Sequence, residues 1–133
     1  VNVFEAALRA RLVAFAPLVA LLASAQAVYQ TVTESAPLPY VVFGLNAGGP
    51  LNRTPHRSES LLYLVKGVTR VGVKQAGQID DQIDAALHDQ PLTVPGWSNY
   101  WLVRETRVRL EELDAGGKPI FHAGGLYRAR LAV

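Results

Sequence analysis

The stretch that most constrains this chain runs from Ser58 to Pro95, because the apolar pattern changes period twice within it. Ser60 to Val68 is a run of Leu, Tyr and Val that is apolar on both faces, which predicts a central strand. From Val73 to Asp89 the apolar positions become Ala76, Ile79, Ile83, Ala86 and Leu87, one face of a helix, with Gln75, Gln78, Asp81, Gln82 and Asp89 opposite. Pro91 to Pro95 then reads as a short strand with prolines at its ends, where a missing N–H is tolerated. A helix with one wet side must lie on a sheet, so the unit predicts strand, covering helix, strand.

The flanks extend the pattern. Asn2 and Glu5 have capping-box spacing, so a helix is predicted to start there, with Phe4, Ala7, Leu8, Leu12 and Phe15 as its apolar stripe and a break at Pro17. Val28 to Val32 and Pro39 to Leu45 read as strands, and Asn46 to Arg57 as a long basic loop carrying Arg53, His56 and Arg57. Tyr100 to Glu112 alternates as a strand, with Leu102, Arg104, Thr106, Val108 and Leu110 in one phase. Asp114 to Lys118 is a hairpin turn, and Ile120 to Val133 returns with Phe121, Tyr127, Ala129, Leu131 and Val133 in one phase. The order predicts an α+β fold, a mainly antiparallel sheet with two helices packed on one face. With 133 residues, half of them hydrophobic, the expectation is one domain spanning residues 1–133.

Residues 9–27 also imitate an export signal, with Arg9 and Arg11 ahead of an apolar run and Ala25-Gln26-Ala27 behind it. The amphipathic order of residues 4–12 and the acid Glu5 favour a core helix instead, and the run falls short of a membrane span, which needs about 20 apolar residues. No membrane contact is expected.

Chemistry-bearing patterns are sparse. There is no cysteine, which excludes a disulfide scaffold and a thiolate metal site. His56, His88 and His122 have no ligand spacing, and Asp80, Asp81 and Asp84 read as a solvated helix surface lacking a second ligand set. Nucleophile-elbow, phosphate-loop and dinucleotide patterns are missing, so the expectation is no catalysis, no metal and no cofactor. What stands out is arginine on the last two strands, Arg104, Arg107, Arg109, Arg128 and Arg130, interleaved with Glu105, Glu111 and Glu112. Interleaved signs suit an intersubunit or cross-strand ion-pair surface better than a phosphate-binding one, and these five with Arg53, His56 and Arg57 are the candidate interface residues. The alternative is a small nucleic-acid-binding module using the same strand and loop arginines.

The layout resembles the tail-completion, or tail terminator, proteins of long-tailed bacteriophages. The resemblance rests on the opening helix Phe4-Glu5-Ala6-Ala7-Leu8-Arg9, the turn Ala16 to Leu22, and Val28-Tyr29 ahead of the proline-flanked Ala36 to Phe43. It continues through the helix Ile79 to Leu87 and the closing Leu126 to Leu131, with Lys66-Gly67-Val68 standing where many members place a tryptophan. It implies a structural virion subunit of the tail or neck, assembled in the host cytoplasm and forming a ring, commonly a hexamer, that caps the tail tube and joins it to the head. The implied partners are copies of itself, tail-tube protein, a head-completion or connector protein, and DNA passing through the ring without sequence-specific binding.

Overall fold

In the computed structural model, residues 1–31, 36–51 and 57–133 are described. Helices α1 (Asn2–Ala14) and α2 (Ala16–Val19) lead into strands β1 (Val28–Tyr29), β2 (Tyr40–Leu51) and β3 (Ser58–Thr69). Helix α3 (Val73–Leu87) follows, then β4 (Thr93–Val94), β5 (Trp97–Leu113) and β6 (Pro119–Ala132). The six strands form one sheet in the order β1-β2-β3-β6-β5-β4. The fold is α+β as expected, but the sheet is mixed, because β1 runs parallel to β2 while the other pairings are antiparallel.

The organising unit forms as its periods require. Strand β3 lies between β2 and β6, and α3 packs Ala76, Ile79, Ile83, Ala86 and Leu87 against the sheet. Gly67 allows that close approach, since a Cβ there would run into the Ile79 side chain. Helix α1 buries Phe4, Leu8 and Leu12, and the Phe4 ring sits 5.2 Å from that of Tyr63 on the same side of the sheet. Pro17 ends α1 as expected, standing in the first turn of the one-turn α2, where its missing N–H leaves no helical bond unmade. Among the described residues no helix is long and apolar enough to cross a membrane.

Three local expectations are corrected. The capping box does not form: Val1 is the N-cap, no side chain caps the helix, and Glu5 instead accepts a hydrogen bond from the Tyr63 hydroxyl at 3.1 Å. The long loop after Leu45 is strand as far as Leu51, with Gly48, Gly49 and Pro50 opposite Leu61, Ser60 and Glu59. Pro50 is tolerated because β1 covers only Val41 and Val42, leaving the rest of β2 an edge. A Cβ at Gly48 would lie 2.6 Å from the Ser60 carbonyl oxygen, so glycine here marks close backbone approach and not a flexible arm. Arg53 and His56 lie outside the described residues, and Arg57 is exposed at the foot of β3. Finally, register shifts at Asn99/Trp101 and Arg104/Thr106 break the alternation of β5. Leu102 and Arg104 face the helices, whereas Thr106, Val108 and Leu110 pair with Leu126, Gly124 and His122 on the other side.

Candidate functional site

The helices cover one face of the sheet, and the described residues leave the opposite face largely bare. Its central rows, read across β2, β3, β6 and β5, are Val42, Lys66, Gly124 and Val108, then Gly44, Leu64, Leu126 and Thr106. Below them lie Leu62, Arg128 and Val103, then Ser60, Arg130 and Trp101. Val42, Leu62, Leu64, Val103, Val108 and Leu126 are each half-buried and none belongs to the core, while Trp101 is 43% and Leu110 49% exposed. A sheet face this apolar, uncovered among the described residues, is the signature of an interaction surface.

The cationic side chains divide among this face, the helix side of the hairpin and the fold's interior. Arg128 reaches Glu105 at 3.3 Å and donates to the Ser60 hydroxyl at 3.2 Å, and the Arg130 guanidinium lies 5.4 Å over the Trp101 ring. Arg107 and Arg109 are exposed on the helix side of the hairpin. Lys66 stands among Val42, Leu64 and Leu126 with no carboxylate at ion-pair distance among the described residues.

Arg104 does something different. Its guanidinium turns under α3, grips both Asp80 oxygens and meets the Tyr127 hydroxyl, with Nε 3.0 Å from that hydroxyl and 3.2 Å from Asp84 Oδ1. The Tyr127 hydroxyl donates to Asp84 at 3.0 Å, and the guanidinium carbon is 5.1 Å from the Tyr127 ring centre. Burial alone would lower the Arg104 pKa, but the Asp80 and Tyr127 interactions outweigh it and hold the group charged, while burial pushes Tyr127 up and keeps it a neutral donor. Room for the guanidinium comes from Gly125, where a Cβ would lie 2.6 Å from Arg104 Nε. The solvated carboxylate surface expected at residues 80–84 is therefore corrected at Asp80, which is 1% exposed and ion-paired. The usable sequence signal is Asp80 and Asp84 one helical turn apart, with Arg104 in phase with the buried Leu102.

The far end of this face holds a part-buried polar pair. His122 Nε2 lies 2.7 Å from Glu112 Oε1, and its Nδ1 is buried without a partner. Burial and nearby Lys66 lower the His122 pKa more than Glu112 raises it, so the ring is neutral and donates Nε2–H to Glu112. A depressed histidine pKa contributes stability that is full above the unfolded value of 6.5 and lost as the pH falls below it. Thermal melts at pH 7.5 and 5.5 should therefore show a larger drop for the native chain than for H122Q. Equal drops would mean that this proton is not taken up on unfolding.

Among the described residues no group of three or more His, Asp or Glu comes together as a metal site. A shallow recess of about 750 Å³ is lined by Leu38, Tyr40, Arg70, Asp114 and Ile120. It holds an exposed Arg70–Asp114 pair at 2.5 Å and no nucleophile with a base. A broad bare face with a structural charge clamp behind it suits assembly.

Comparison with known proteins points the same way. No curated protein matches the sequence. A chain in the solved virion of a native gene transfer agent particle is similar in fold, with a TM-score of 0.78 and 20% identity over 97% of this chain and 94% of that one. The family model described as tail completion protein gp17 matches residues 6–123. That match spans the helices, strands β1 to β5 and the start of β6, and the chain therefore belongs to the tail completion protein gp17 family, structural proteins of the virion tail.

Proposed function

We propose that this chain is the subunit of a closed ring, a hexamer, that caps the tail tube, stops its growth and joins it to the head. The observation that supports this reading is the pairing of family membership with a sheet face left bare across four strands. A ring needs two different, complementary surfaces on every subunit, and a two-layer domain with one uncovered face offers them. Arg57, Arg107, Arg109, Arg128 and Arg130 remain on the surface as candidate contacts to neighbouring subunits, tail-tube protein or a head connector. Arg53 and His56 are proposed contacts on sequence grounds alone. DNA would pass through such a ring without being read. Nucleic-acid binding in its own right is the weaker reading, because Arg104 and Arg128 already have carboxylate partners.

The test is assembly. Light scattering of the purified chain, alone and with growing tail tubes, should give a ring mass or tubes that stop lengthening once the chain is added. A chain that stays monomeric under both conditions while tubes grow unhindered would remove the reading.

A further inference from the structure

Granting the ring reading, we infer that its subunits associate front to back, the helix layer of one copy seated on the bare sheet face of the next. The second half of that contact is on α1. Its charged side chains turn back onto the chain's own structure: Glu5 accepts from Tyr63, and Arg9 Nε donates to the Val28 carbonyl at 3.2 Å. Arg11 donates to the carbonyls of Ala86 at 3.1 Å and Gln90 at 3.2 Å. Beyond the exposed Asn2 in its first turn, what remains outward on α1 is Val3, Ala6, Ala10 and Ala14, all exposed and all apolar. At helical spacing these fall within a stripe about 100° wide, on the side away from the sheet, where a solvated helix would carry charge.

The two uncovered apolar surfaces lie on opposite sides of one chain, so each copy presents what the other side of its neighbour lacks. Small side chains on the helix allow the close approach that Val42, Leu64 and Leu126 need in order to leave water. Charge agrees: Lys66, at the centre of the sheet face, has no acid of its own, and Asp81 on the outer side of α3 is exposed with no ion pair among the described residues. Contact between unlike faces is heterologous, and it closes into a ring when each step adds a fixed rotation. Pairing through the free edges of β2 and β5 is the less favoured contact, because both carry bulges and β2 carries Pro50, devices that discourage strand addition.

The absence of native cysteine makes the test clean. The double variant Ala10→Cys with Leu64→Cys, mildly oxidised with tail tubes present, should give a ladder of disulfide-linked multimers. Each single variant should give dimers at most. Separately, Ala10→Glu places a charge on an exposed helical position, so its melting temperature should match the native chain. Its assembly should need at least about tenfold more protein, since the carboxylate would be desolvated in the contact. Assembly that proceeds normally in Ala10→Glu, without a ladder in the double variant, would overturn the front-to-back contact and leave the ring standing. A cross-link from Leu64→Cys to tail-tube protein in place of a second copy would also overturn it. Failure of the native chain to assemble even on tubes would instead remove the ring reading beneath it.

Discussion

Gly124→Ala should lose at least about 3 kcal/mol of stability, near the top of what a single added methyl does to a packed core. Gly124 pairs with Lys66 across the two central strands. A Cβ built there would lie 2.5 Å from Lys66 Cα and closer still to the Val65 carbonyl oxygen. Both are backbone atoms of β3, so neither can step aside without parting β3 from β6. Because β3 and β6 are the two central strands of the sheet, the strain has no cheap outlet. For a domain of this size the loss corresponds to a fall of roughly 10 °C or more in melting temperature. Gly44→Ala is the internal control: nothing lies within 4 Å of a Cβ there, and alanine in an open strand position should be neutral or stabilising by about 0.5 kcal/mol. Equal, small effects at the two positions would mean that β3 and β6 separate easily, and the rigidity ascribed to the sheet would be lost with that.

Much of this fold is legible from residue order, and the failures have specific causes. The β3–α3–β4 unit follows from its two changes of period, because β3, apolar on both faces, takes a strand on either side, while α3 needs cover on one face only. The hairpin at Asp114 is equally plain: its carboxylate accepts the Gly116 and Lys118 N–H groups at 2.8 and 2.9 Å, and Gly117 supplies the positive φ of 77°. Strand β5 defeats simple alternation because the extra residue at Glu105 turns Thr106, Val108 and Leu110 to the face opposite Arg104, and a bulge leaves no compositional mark. Residues 46–51 look like loop because glycine and proline stand among them, yet an edge strand beside a crowded partner requires glycine at position 48 and tolerates Pro50. The candidate interface was legible as arginine on the last two strands, but not which arginines stay outside. That depends on pairings across 24 residues of sequence for Arg104 and Asp80. The outward apolar stripe of α1 was hidden for a related reason: Arg9 and Arg11 count as surface charge until the carbonyls of Val28 and Ala86 are seen to hold them.

Removing the Arg104 guanidinium tests whether α3 is held to the hairpin by that pairing. R104M preserves most of the side chain's length and apolar contact while leaving Asp80, 1% exposed, as a buried carboxylate without a counter-charge. Such a break costs about 3–5 kcal/mol, far more than the loss of an exposed pair, which is worth about 1 kcal/mol or less. Asp80→Leu alone should cost less, because Arg104 keeps Asp84 at 3.2 Å and the Tyr127 hydroxyl at 3.0 Å, and Asp84 is partly open to water. The double variant R104M/D80L replaces the pair with apolar groups of similar size and should return to within about 1–2 kcal/mol of the native chain. Arg104→Lys should rescue poorly, since an ammonium cannot grip both Asp80 oxygens and meet Tyr127 at once. Urea midpoints with unchanged slope would measure each variant. A loss below about 1 kcal/mol for R104M would mean that apolar packing by Ile79, Ile83 and Leu87 alone seats the helix. A double variant as unstable as R104M would locate the defect in packing around Met and Leu and leave charge out of it.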